Sequence, residues 1–158
     1  MNIKKVVITI AVAITLILGF LLCKQIFFDE YKPADDEIAL HVQMDTKEDI
    51  GLLVFDYYAD GVEFSGGISN ADKTLIKNSD DIIIALNKQE LNSSYNDVKL
   101  EMYFRIITEY TEPNYENIYP ENITQCIDTP VSWKASFGEE YFITITGDKA
   151  NGYKAVLN

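Results

Sequence analysis

From Val98 to Ile106 every second residue is apolar: Val98, Leu100, Met102, Phe104 and Ile106 alternate with Lys99, Glu101, Tyr103 and Arg105. A period of two sends these residues to one face of an extended chain, which reads as a strand with one side buried, whereas a helix would need a period of about 3.6. The same spacing recurs in Ile38, Leu40, Val42 and Met44, in Trp133, Ala135 and Phe137, in Tyr141, Ile143 and Ile145, and in Tyr153, Ala155 and Leu157. Two denser runs, Leu52-Leu53-Val54-Phe55 and Ile82-Ile83-Ile84-Ala85-Leu86, are expected to be strands covered on both faces or at a sheet centre. Asp60-Gly61 between Tyr57-Tyr58 and Val62-Glu63-Phe64 has the composition of a two-residue hairpin turn. No stretch after residue 37 has amphipathic helical spacing, apart from one turn of helix expected over Lys88 to Leu91. The expected fold is all-β, an antiparallel two-sheet sandwich of seven to nine short strands.

One segment departs from this pattern. Val6 to Cys23 is an unbroken run of apolar residues and two threonines, preceded by Lys4 and Lys5, with every acidic residue in the chain after it. As a helix it spans roughly 27 Å, close to the roughly 30 Å hydrocarbon core of a bilayer. Phe27, Phe28 and Tyr31 suit the interfacial layer. The expected organisation is a cytoplasmic N-terminus over 1–5, a transmembrane signal-anchor helix over 6–28, an acidic juxtamembrane linker over 29–37, and an extracytoplasmic domain over 38–158. Lys4 and Lys5 set the orientation, N-terminus inside. A cleaved signal would need small residues at its end, but the A-x-A of Ala11-Val12-Ala13 lies in the middle of the run. Lipidation at Cys23 is disfavoured by the bulky Leu22 before it.

Charge narrows the partners. After position 28 all 25 acidic residues face ten basic ones, the chain's 13 less Lys4, Lys5 and Lys24. Such a domain repels phosphate backbones, so nucleic acid is excluded as an expected partner. Membrane lipid, through the N-terminal helix, and an envelope glycan, peptide or protein are the expected ones, in a bacterial envelope. Cys126 is the one cysteine of the outer domain, so a disulfide within it is excluded, and Cys126 is expected to be a small buried apolar residue.

The stretch Gly138-Glu139-Glu140-Tyr141-Phe142-Ile143 resembles the tyrosine corner of immunoglobulin-like sandwiches, with Tyr141 opening a strand and Ile143 where antibody domains carry a cysteine. Trp133 stands close before this corner instead of far upstream, a departure from the antibody pattern. The resemblance covers about the last 30 residues, implies a fold and carries no activity.

Candidate chemistry concentrates in one long connection. Residues 110–124 interleave Tyr110, Tyr115 and Tyr119 with Asn114, Asn117, Glu112, Glu116 and Glu121. Rings beside amides and carboxylates can stack on sugar faces or clasp an extended peptide, so these eight residues are the expected ligand-binding set; the alternative is that the tyrosines pin a long loop stiffened by Pro113 and Pro120. No catalytic residues are expected. His41, the single histidine, alternates opposite the apolar set and is expected to face solvent, and there is no serine-nucleophile elbow. No cofactor or metal is expected: zinc clusters are missing, and Asp56 to Gly61 keeps only part of an EF-hand pattern. Gly66-Gly67 is expected at a bulge or turn. The leading expectation is a binding or scaffolding module; a carboxylate-dependent hydrolase of envelope polymers using Glu112, Glu116 and Glu121, and a small subunit of a membrane complex, are the alternatives.

Overall fold

A computed structural model describes residues 31–158. The expected transmembrane helix lies outside the described residues, and among those described no helix is long and apolar enough to cross a membrane. Among the described residues nine strands follow in order: β1 (Glu37–Thr46), β2 (Leu52–Ala59), β3 (Val62–Ile68), β4 (Asp81–Asn87), β5 (Asp97–Ile107), β6 (Thr124–Cys126), β7 (Val131–Ser136), β8 (Glu140–Asp148) and β9 (Gly152–Leu157). They form two sheets, β4-β1-β8-β9 and β3-β2-β5, with β6 and β7 sharing the far edge of β5.

The alternating residues meet between the sheets. Leu40, Val42, Ile143 and Ile145 from the first sheet and Leu53, Leu100, Phe104 and Ile106 from the second are at most 1% exposed in one shared cluster. Each fully buried side chain of this kind stabilises the fold by about 1.5–3 kcal/mol relative to exposure. Asp60 and Gly61 both take positive φ, 50° and 87°, while Ala59 pairs with Val62, so β2 and β3 are joined by the tight turn their composition predicts.

Several expectations are corrected. The sandwich is not purely antiparallel: β1 pairs β8 in parallel, from Ala39 opposite Glu140 to Thr46 opposite Gly147. Such a pair needs a long connection, and six strands stand between its two members. β4 is not covered on both faces; as an edge strand it leaves Ile83 39% exposed. Residues 88–92 form a hydrogen-bonded turn, not a helix. Gly66 and Gly67 make neither a bulge nor a turn, since the register runs unbroken through Phe55–Gly66 and Val54–Gly67. A Cβ on Gly66 would lie 2.6 Å from the Phe55 ring, so glycine is needed there for that ring to lie flat across the strand.

His41 does point away from the core, yet it is only 6% exposed. Its ring stacks on Phe142 at 4.7 Å, Nδ1 lies 2.9 Å from Asp81 Oδ2, and Nε2 lies 3.7 Å from Glu140 Oε2. Neighbouring strands on the outer face thus bury it. Cys126 is exposed, because β6 is a short edge strand and Cys126 sits opposite the outward-facing Arg105.

The β8–β9 turn is organised by Asp148, whose carboxylate accepts from the Ala150 and Asn151 backbone N–H groups and lies 2.5 Å from Lys47 Nζ. The Lys47 ammonium and the Asn151 amide hold its carboxyl far below the usual range. A depressed folded value contributes stability that is present above the unfolded value near 4 and lost as pH falls toward the folded one. We expect Tm to fall steadily below about pH 5 and Asp148→Asn to flatten that decline, as followed by circular dichroism melts at stepped pH.

Candidate functional site

The connection from β5 to β6 lies over one end of the outer face of the second sheet. Leu52, Val54 and Ile107 point outward there, and they are fully buried because Ile123 and Tyr119 cover them in a second, smaller apolar cluster. This accounts for the dense Leu52–Phe55 run: one set of its residues faces the main core and the other faces this cluster.

Polar contacts fix the rest. Arg105, on the outward face of β5, donates from Nη2 to Asp56 Oδ2 at 2.9 Å and from Nη1 to the Asn117 carbonyl at 2.9 Å. Asn117 is 9% exposed and takes φ 50°, a left-handed conformation that asparagine tolerates better than most residues. Asn114 clasps Ile118 from both sides: its Nδ2 donates to the Ile118 carbonyl at 3.0 Å and its Oδ1 accepts the Ile118 N–H at 3.2 Å. The Asn114 N–H donates to the Tyr119 hydroxyl at 3.3 Å. The 3-10 turn Glu121–Ile123 closes the segment, where Thr108 N–H donates to the Ile123 carbonyl.

Between this connection and β3 lies a depression of about 400 Å³. Ser65, Gly66 and Gly67 form its floor, and Pro113, Asn114, Tyr115, Asn117 and Tyr119 its wall. Tyr115 projects from the wall wholly into solvent, at 107% exposure, and Ile118, on the same connection but outside the lining, is 70% exposed. The missing side chain of Gly67, on the outward side of β3, opens the floor, while Gly66 turns to the Phe55 ring on the core side and offers only backbone; β3 forms one rim as the edge strand of its sheet. The arrangement offers a ring face, amide donors and acceptors, and backbone, which is the equipment for holding a polar polymer or an extended chain.

Of the eight residues expected from the sequence, Asn114, Tyr115, Asn117 and Tyr119 line the depression, and Tyr110, Glu112, Glu116 and Glu121 do not. Glu112 is turned to Lys73 at 2.6 Å, whose ammonium holds its carboxyl below the usual range, and Tyr110 reaches Glu112 at 3.4 Å. The three carboxylates therefore do not converge there as an acid/base set. Sequence reading missed the floor and Arg105. The period of two places Asp56 and Arg105 on the outward face of adjacent strands, but it gives no sign that β2 and β5 are neighbours.

Farther along the same outer face, Tyr58 and Tyr103 meet edge to face at 6.2 Å beside a second, smaller depression lined also by Lys99 and Glu101. Glu63 raises the Tyr58 hydroxyl above its ordinary range, and a hydrogen bond to Glu101 does the same for Tyr103. Among the described residues no group of three or more His, Cys, Asp or Glu side chains is placed to hold a metal ion. Tyr141 accepts the Ser136 N–H at its hydroxyl, 2.8 Å away, and its ring leans on Trp133, clamping the crossing from β7 in one sheet to β8 in the other. Comparison of the chain with protein-family models and with curated proteins finds no match.

Proposed function

We propose that this chain is a membrane-anchored, extracytoplasmic binding module of immunoglobulin-like architecture, and that the depression between β3 and the β5–β6 connection holds an envelope glycan or peptide. The apolar run from Val6 to Cys23 and its flanking charges support the anchor and its orientation. The pairings β4–β1, β3–β2, β2–β5 and β5–β7 follow the E–B, C′–C, C–F and F–G neighbours of immunoglobulin sheets, with β8 and β9 standing where strand A would lie. In that alignment Tyr141 clamps a different inter-sheet corner from the E–F corner of antibody domains, so the likeness rests more on strand order than on that tyrosine.

The observation that carries the binding reading is the pairing of Tyr115, fully exposed on a connection otherwise braced by hydrogen bonds, with a floor of two glycines. An exposed ring on an ordered wall pays little ordering entropy when it stacks on a ligand. The test is retention of the detergent-solubilised full chain on insoluble cell-wall glycan and on an immobilised peptide panel. Tyr115→Ala should weaken retention on the bound polymer roughly threefold to tenfold and leave Tm unchanged. Equal retention of both proteins on every polymer overturns the assignment.

A further inference from the structure

β3 is the end strand of its sheet, and its seven residues Val62-Glu63-Phe64-Ser65-Gly66-Gly67-Ile68 include no lysine, no proline and no bulge. Edge strands normally carry such devices because their unpaired N–H and C=O groups template pairing with another chain. Here a single charge, Glu63, is the one such device, and Val62, a β-branched apolar residue, is 57% exposed beside it.

We propose that β3 pairs antiparallel with β3 of a second copy of this chain, about a twofold axis through Ser65. The sides of the strand restrict the choice. Val62, Phe64, Gly66 and Ile68 lie on the core side, opposite Ala59, Tyr57, Phe55 and Leu53 of β2, while Glu63, Ser65 and Gly67 lie on the outer side. A symmetric antiparallel pair must match like sides, so its axis passes through a residue. Only the axis through Ser65 pairs all seven positions.

That register is also chemically complementary. Val62 meets Ile68 of the other copy, giving the exposed valine an apolar partner. Phe64, stacked on Tyr57 of its own copy, meets Gly66, whose core side is already covered by the Phe55 ring, so this position brings no side-chain clash. Glu63, the one charged residue of the strand, meets Gly67 and not its own counterpart, and Ser65 meets Ser65, where two hydroxyls can share a hydrogen bond. Because Ser65, Gly66 and Gly67 also floor the depression described above, the axis sets two such depressions side by side. The pairing itself does not depend on what they hold. The opposing force is repulsion between two strongly acidic domains, which added salt screens.

The test is cysteine crosslinking in membranes of the full chain with Cys23→Ser and Cys126→Ser. Directly opposed residues of an antiparallel pair have Cα atoms about 4.5–5.5 Å apart, within disulfide reach. Ser65→Cys should crosslink to a dimer at least fivefold more than Val62→Cys or Glu63→Cys alone, whose like positions lie about 13 Å or more apart in this register. Glu63→Cys co-expressed with Gly67→Cys should crosslink as a mixed pair. Sedimentation of the detergent-solubilised chain should show Val62→Lys weakening the dimer tenfold or more, and raised salt strengthening the unsubstituted one. Crosslinking at Ser65 no greater than at Val62, or a dimer unaffected by Val62→Lys, overturns the proposal, as does preferential crosslinking through Ile83→Cys on the other sheet edge.

Discussion

Gly51→Ala should destabilise the folded chain by about 3 kcal/mol and abolish the binding proposed for the depression, although Gly51 lies outside it. A Cβ at this position would stand 2.0 Å from the Glu109 carbonyl oxygen and 2.6 Å from the Tyr110 nitrogen. Both obstacles are backbone, so no side-chain rotation relieves them. Gly51 N–H also donates to the Ile107 carbonyl at 2.8 Å, holding the chain before β2 against the end of β5. To admit one methyl group the root of the β5–β6 connection must move away, which pulls Tyr119 off Leu52 and Val54 and shifts the wall that carries Asn114 and Tyr115. Urea unfolding read alongside polymer retention checks this. A stability change within about 0.5 kcal/mol would show that the close approach does not fix the connection.

Phe104→Ala is expected to cost about 3–5 kcal/mol, a large share of the 5–15 kcal/mol that stabilises a typical domain. Phe104 is 1% exposed near the middle of β5, directly opposite Phe55 in the register. Its loss leaves a void that the flanking β-ladders cannot close, since β5 is held by β2 on one side and by β6 and β7 on the other. The denaturation midpoint should fall with little change in slope, while Val156→Ala, at a site 55% exposed on β9, should shift stability by less than about 0.5 kcal/mol. A loss under about 1 kcal/mol at Phe104 would mean that the sheets collapse to fill the space.

Much of the fold is legible in the period of two. It marks the strands around Leu40, Leu100 and Ile143 and identifies their inward residues, because alternation is a property of the single strand. Pairing is less legible. Nothing near Ala39 or Glu140 announces that they meet in parallel, and the run from Ile82 to Leu86 reads as a covered strand because apolar density alone does not distinguish a sheet centre from an edge. His41 shows the same limit from the other side: its outward direction is local, but its burial comes from Phe142, Asp81 and Glu140 on neighbouring strands. At the candidate site the aromatic and amide residues of the wall could be named from composition. The glycine floor and the Arg105 brace arise from strands that only the fold brings together.

The parallel pairing of the first strand with the next-to-last has a kinetic corollary. β1 gains its second neighbour only when Glu140 to Gly147 has been synthesised, roughly a hundred positions after Ala39, a separation typical of slow, topologically demanding folding. A nascent chain lacking that stretch leaves one flank of β1 without a partner, so the first sheet is expected to close only after Glu140 to Gly147 has emerged.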